Sequence, residues 1–145
     1  MSTKKRVDTV RILISTHPLL KNSPKLTDIV GELNRVHAST NTPQHNGWLL
    51  KLLHTTRALD TTLRELLIKK NWAPADKFSL GSYLHVLRKQ NVLSQSETQS
   101  WTNSIVNPRN KYMHSAGAMP NQLEADAILG EMEACISVVL AKTGI

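Results

Sequence analysis

The sequence WLLKLLHTTRALDTTLRELLIKKN, which runs from Trp48 to Asn71, decides the fold. Its leucines recur at intervals of three and four residues over about six helical turns, which is the spacing of one face of an α-helix. At 1.5 Å per residue such a helix is about 35 Å long. An apolar stripe of this length needs a partner of similar length to cover it. The stretch therefore predicts a long amphipathic helix in a helical bundle.

The predicted partner is a second long helix at residues 121–142. It begins with Asn121-Gln122-Leu123-Glu124, in which asparagine caps the helix and the glutamate three residues later completes a capping box. Apolar residues then recur at helical spacing up to about Lys142. The residues expected to face the core are Leu123, Ile128, Leu129, Met132, Cys135, Ile136 and Val139.

Shorter helices are predicted elsewhere. One covers Lys5 to His17, a second starts at Ser23-Pro24 and ends near His37, and two more start at Ser79 and Ser94. Residues 38–47 are polar and contain proline and glycine, so we expect a loop there. No stretch alternates apolar and polar residues as a strand would. The sequence predicts one all-α domain over residues 1–145, a helical bundle with residues 1–40 packed on it as an N-terminal helical extension.

The composition limits the class of protein. Lysine and arginine number 18 against 11 aspartates and glutamates, a net charge of +7 with histidine neutral. This excess suits a polyanion such as RNA, although many proteins without such a partner share it. The single Cys135 excludes an internal disulfide, and we expect an inert buried thiol. The apolar run around Arg11 is too short for a signal peptide or a membrane span. We expect a soluble, cytoplasmic protein with no membrane partner.

The stretch Asn107-Pro108-Arg109-Asn110-Lys111-Tyr112-Met113-His114 concentrates groups that could carry chemistry. Asn107-Pro108 is expected to break or kink the preceding helix and to restart one at Arg109. Free N–H groups in a first helical turn favour an anion such as phosphate. Asn110 and His114 are four residues apart and share a face, toward which Arg109 can reach. Histidine can move a proton near neutral pH, although the same spacing also occurs on ordinary solvated helices.

The pattern Arg109-Asn110-x-x-x-His114 resembles the signature of the HEPN superfamily (higher eukaryotes and prokaryotes nucleotide-binding), a group of all-α domains. The resemblance implies metal-independent RNA cleavage by a homodimer, with attack by the ribose 2′-OH at a composite site in which two motifs face each other. It implies that His114 is a general base or acid, Arg109 a phosphate clamp and Asn110 a positioning group. Lys111 and Tyr112 are candidates for substrate contact. One chain offers one well-placed histidine, so pairing would supply the second.

The resemblance also suggests a biological setting, a toxin or an effector of defence against phage, with an antitoxin or regulatory protein as a partner. Some toxins of this family that pair with a nucleotidyltransferase antitoxin carry a tyrosine two residues after the histidine, where this chain has Ala116. Membership of that subgroup is therefore not expected. The alternative hypothesis is a non-catalytic helical module that binds RNA, nucleotide or a protein partner. A third hypothesis is an adaptor whose helical bundle serves only to dimerise.

The other polar residues suggest no second site. His37 and His45 have no acidic or cysteine cluster beside them, so no metal is expected. The sequence contains no glycine-rich phosphate-binding loop, and we expect no cofactor. His85 lies among apolar neighbours and is expected to be partly buried. Asp60 and Glu65 are expected to be surface acids on the long helix.

Overall fold

The computed structural model describes residues 2–39, 45–74, 77–115 and 117–144, and these residues form helices and connecting turns without a strand. The helices are α1 (Thr3–Thr16), α2 (Leu26–Ser39), α3 (His45–Lys69), α4 (Leu80–Lys89), α5 (Gln95–Trp101), α6 (Asn107–His114) and α7 (Gln122–Thr143), with a π-helical segment, Thr102–Val106, between α5 and α6. The predicted all-α bundle is confirmed. No helix in these ranges is long and apolar enough to cross a bilayer.

The two long helices form the centre of the bundle, as predicted. Helix α3 has 25 residues and α7 has 22. Helix α3 packs against both α2 and α7. Their inward faces meet in one large apolar core to which α1, α2, α4 and α5 also contribute. The expectation for Leu123 is wrong, because its side chain is 79% exposed. On α7 it lies roughly 180° from the stripe centred on Met132 and Ile136, so it points to solvent.

The predicted helix starts are confirmed at three positions. Ser79 caps α4, Ser94 and Glu97 form a capping box on α5, and Asn121 and Glu124 form one on α7. Each side chain accepts a hydrogen bond from a backbone N–H that has no partner within the helix. These caps fix the first residues of α4, which precedes α6 in the chain, and of α7, which follows it.

Two predicted boundaries have to be corrected. Helix α2 begins at Leu26, later than expected, because the Ser23 hydroxyl accepts from the Lys25 N–H and donates to Glu65, which makes a turn before the helix. The loop expected at residues 38–47 is wrong at both ends, since α2 continues to Ser39 and α3 starts at His45. Residues 40–44 lie outside the described ranges.

The N-terminal helices lie against the two long ones. Helix α1 packs on α7 and α2, and α2 packs along α3. The ammonium group of Lys51, which is only 1% exposed, pairs with Asp126 and donates to Thr3 Oγ1 at 2.7 Å. One buried lysine of α3 thus connects α1 and α7.

Of the break or kink that the sequence predicts at Asn107-Pro108, the break is absent. The chain is helical without interruption from Gln95 to His114, and its π-helical segment lies directly before α6. There the Asn107 N–H donates to the Thr102 carbonyl, five residues earlier. A wider turn ahead of a proline relieves the clash between its ring and the carbonyl four residues back. Arg109 therefore lies inside a continuous helix and not at the free start of a new one.

Candidate functional site

An open groove of about 810 Å³ lies between α4 and the face of α6 that carries the motif. We call it the α4–α6 groove. It is lined by Pro74, Lys77, Ser79, Leu80, Gly81, Ser82, His85, Val86, Lys89, Val106, Arg109, Asn110 and His114. A volume of this size is within the usual range for binding sites of small ligands and cofactors.

The structure brings together the three residues predicted to be catalytic. Arg109, Asn110 and His114 all line the groove, since they occupy one side of α6. Arg109 is half-buried and its Nη1 donates to Asn110 Oδ1 at 3.3 Å, while Asn110 and His114 are exposed. The guanidinium, the amide and the imidazole are thus all accessible to one ligand.

The groove carries an excess of positive charge. Lys77, Lys89 and Arg109 are its fixed cations, His85 and His114 add two imidazoles, and no carboxylate is among the described residues that line it. Clustered charge of one sign in a cleft raises the local concentration of ligands of the opposite sign. The arrangement therefore favours an anion.

A second cavity, of about 730 Å³, lies between α2 and α3 and differs in charge. Its cations are offset by acidic residues, of which Glu32 is buried. Glu32 accepts from His54 Nδ1 at 2.7 Å and forms an ion pair with Arg57, whose Nη2 lies 3.2 Å from the carboxylate. Glu65, expected at the surface, is buried too and accepts from Ser23. These internal pairs leave that cavity without the one-sided charge of the α4–α6 groove.

The expectation for His85 is wrong in a way that matters for function. Its side chain is exposed and lines the groove. The apolar residues that flank it in sequence do not surround it in space, because successive helical residues point about 100° apart. On α4 the buried stripe contains Leu80 and Leu84, and His85 lies about 140° from Leu80, on the same side as Lys89. The position of this stripe is the signal in the sequence that indicates an exposed His85, although it does not indicate the groove that His85 lines.

The structure does not bring Lys111 and Tyr112 to the groove. Tyr112 is buried against Leu52 and Ile128, and its hydroxyl donates to Glu124. The predicted substrate contact is therefore corrected to a packing role that holds α6 on α7. Lys111 is exposed, but its ammonium lies 5.2 Å from the centre of the Tyr112 ring and outside the groove lining.

The Tyr112–Glu124 hydrogen bond changes the acidity of both groups. The carboxylate acceptor raises the pKa of Tyr112 to about 12. The hydroxyl, helped by the Asn121 N–H, holds the pKa of Glu124 below its usual value. Both shifts favour the neutral phenol and the charged carboxylate that the hydrogen bond requires.

Arg109 also lies close to the long helix. Burial raises the pKa of Asp60, and the charges of Arg109 and Arg64 partly offset that effect. On the side of Arg109 away from α4, a small apolar pocket of about 190 Å³ is lined by Leu50 and Met113 among others. Arg109 therefore stands between the polar groove and an exposed apolar surface.

The remaining sequence predictions concern metal and thiol chemistry. No cluster of histidine, cysteine and acidic residues in the described ranges could hold a metal ion. Cys135 is buried as expected, and burial raises the pKa of its thiol to about 12. Ala116 and the side chain of His45 lie outside what the structure describes.

Comparison with known proteins adds no relative. No protein-family model, curated protein or solved structure matches this chain. Its function is therefore inferred from the residues of the groove.

Proposed function

We propose that the protein is a metal-independent endoribonuclease of the HEPN-like kind, with RNA bound in the α4–α6 groove. One observation carries the proposal. The arginine, asparagine and histidine of the motif line an open groove with Lys77 and Lys89, and no described lining residue is acidic. This combination offers phosphate binding and proton transfer in the same place.

The chemistry assigns a role to each motif residue. A base removes the proton of a ribose 2′-OH, whose oxygen then attacks the adjacent phosphorus. The bond to the 5′-oxygen breaks and an acid protonates that oxygen, which leaves a 2′,3′-cyclic phosphate and a 5′-hydroxyl. Arg109 stabilises the charge on the phosphoryl oxygens, Asn110 orients the phosphate, and His114 serves as base or acid.

The proposal includes a homodimer, because the resemblance to the HEPN superfamily implies one. In support, Leu50 and Met113 expose apolar surface next to Arg109, and Met113 is 48% exposed on the face of α6 that carries the motif. Apolar patches of this kind mark many contact surfaces between proteins. Sedimentation of the wild type and of a Met113→Lys variant tests dimer formation. The wild type should sediment as a dimer and Met113→Lys should dimerise less, and a monomeric wild type would contradict the proposed dimer.

Cleavage of labelled RNA in EDTA tests the proposal. The wild type should cut the RNA, the His114→Ala variant should not, and Lys111→Ala should keep full activity because Lys111 lies on the same helix but outside the groove. Excess EDTA removes divalent cations, so cleavage by a contaminating metal-dependent nuclease is suppressed. A pure wild type that leaves RNA intact would refute the proposal.

One observation favours a second candidate, an RNA-binding module without cleavage. Within the described residues the His114 imidazole makes no hydrogen bond that would fix its orientation. A catalytic imidazole is normally oriented by a neighbouring group. The two candidates are separated by an RNA-binding measurement with Arg109→Ala: binding that depends on Arg109 in a protein that does not cleave supports the module, and no binding at all supports an adaptor.

The proposal extends to a toxin or phage-defence effector controlled by an antitoxin. Its support is the resemblance alone. If it is correct, expression of the wild type should slow the growth of a bacterial host, and expression of His114→Ala at the same level should not.

A further inference from the structure

Two histidines from different helices line the α4–α6 groove. His85 extends from α4, and His114 lies at the end of α6. Both side chains are exposed, and neither makes a hydrogen bond with the described residues. Among the residues that the structure describes, the charged groups that share the groove with them are Lys77, Lys89 and Arg109.

We infer that His85 is the second proton-transfer group of the proposed ribonuclease reaction, so that a single protomer contains both the base and the acid. The inference rests on the proposed function and replaces one of its premises. A second motif from a partner chain was expected because one chain offered only one well-placed histidine. The groove offers two.

The other groove residues are poor alternatives for this role. Lysine and arginine ordinarily remain protonated at neutral pH and so cannot accept the proton of a 2′-OH. The hydroxyls of Ser79 and Ser82 are hydrogen-bonded to each other at 2.8 Å. Imidazole accepts and donates protons in the neutral range, and the groove holds two of them.

The charges around His85 suit a phosphate diester. Lys89 is four residues further along α4 and therefore lies on the same face, one turn away. Arg109 faces the groove from α6. A phosphate held between these two cations has an imidazole from α4 and an imidazole from α6 available to it. One imidazole takes the proton of the 2′-OH and the other gives a proton to the departing 5′-oxygen, so protons balance over the step.

Steady-state cleavage by His85 variants tests this role. His85→Ala should lower kcat by about 10²- to 10⁴-fold, the usual range for loss of a general acid or base, with a small change in KM. The bell-shaped pH profile of the wild type should lose one limb in His85→Ala and the other in His114→Ala. Gln90→Ala, an exposed change at the residue that follows α4 and lies outside the groove, is the matched control and should be fully active.

A substitution that keeps the charge separates catalysis from phosphate binding. His85→Lys retains a cation but not a group that ordinarily exchanges protons near neutral pH, so it should be as inactive as His85→Ala. Recovery of activity by His85→Lys would overturn the inference, because it would show that only a positive charge is needed. Circular dichroism of each variant verifies folding, which an exposed position should not disturb.

Mixing the two inactive variants distinguishes a site within one chain from a shared site. If both histidines act in the same groove, a mixture of His85→Ala and His114→Ala has no complete site and stays inactive. Recovered activity would show that the histidines come from different chains and would overturn the inference. A wild type that cleaves RNA together with an active His85→Ala refutes the inference alone, and an inactive wild type refutes the proposed function and the inference with it.

Discussion

Replacement of Tyr112 by phenylalanine should loosen α6 from α7 without altering the α4–α6 groove. The phenyl ring can still pack against Leu52 and Ile128, so the variant loses the hydroxyl and its hydrogen bond to Glu124. A hydrogen bond to a charged group contributes about 1.5–3 kcal/mol when it is buried. Because Glu124 is partly exposed, we expect a loss of about 1–2 kcal/mol. This corresponds to a fall in Tm of about 3–6 °C for a chain of this size.

The loss should depend on pH in a defined way. The pKa of Glu124 lies below its ordinary 4.5, so the stability that the charged carboxylate contributes is complete above that pH. This stability disappears as the pH falls through the lowered pKa. The pKa of Tyr112 is raised from 10.0 to about 12, so its contribution is complete below pH 10.0 and disappears as the pH rises toward 12. The stability difference between wild type and Tyr112→Phe should therefore be constant between these limits and shrink outside them.

Urea unfolding followed by circular dichroism at several pH values measures this difference. A double-mutant cycle with Glu124→Ala shows whether the two side chains interact, because the change at Tyr112 should then cost little in the Glu124→Ala background. A difference near zero at neutral pH, or one that does not change at either pH extreme, would refute the assigned contact. Since the hydroxyl is outside the groove, KM for RNA should change little.

Three further predictions concern charge and burial. If all three fixed cations of the groove contact phosphates, the logarithm of the binding constant for single-stranded RNA should fall against the logarithm of the salt concentration with a slope of about −2. Arg109→Ala should reduce this slope to about −1.4. An unchanged slope would place Arg109 outside the interface. Asp126→Ala should lower the free energy of unfolding in urea by about 2 kcal/mol, because it leaves the buried Lys51 ammonium without its carboxylate. Lys51→Met should cost less, and equal losses in the two variants would argue against the pair. Burial lowers the pKa of His17, whose Nδ1 accepts from the Leu19 N–H at 3.1 Å, so the stability that neutral His17 contributes is complete above pH 6.5 and is lost as the pH falls below it. His17→Gln should therefore flatten the acid limb of the curve of unfolding free energy against pH, and an unchanged limb would contradict this.

The long helices could be predicted from sequence because one regular stripe of apolar residues decides each of them. The same rule failed at Leu123, which is apolar but lies on the opposite side of α7 from the buried stripe. A different rule, that proline breaks a helix, failed at Pro108, where the chain avoids a break by widening the preceding turn into a π-helical segment. Apolar periodicity indicates which residues can be buried, but it does not describe local changes of helical register.

The motif residues on α6 could be placed together from spacing alone, since Asn110 and His114 share a helical face. The contribution of α4 could not, because it depends on how two helices far apart in sequence pack across a groove. His85 was judged from its neighbours in sequence, whereas the rotation of α4 about its own axis decides where it points. Tyr112 shows the reverse case, in which a polar residue beside the motif turns inward to Glu124.

Cleavage of one oligonucleotide in two chemical forms, all-ribose and all-2′-deoxyribose, tests the central claim most directly. The assay is carried out in EDTA with the purified wild type and with His114→Ala. We predict that the wild type cuts only the ribose form and leaves 2′,3′-cyclic phosphate ends detectable by mass spectrometry, and that His114→Ala cuts neither form. Intact ribose substrate with the wild type, or equal cleavage of the deoxyribose form, would contradict the account.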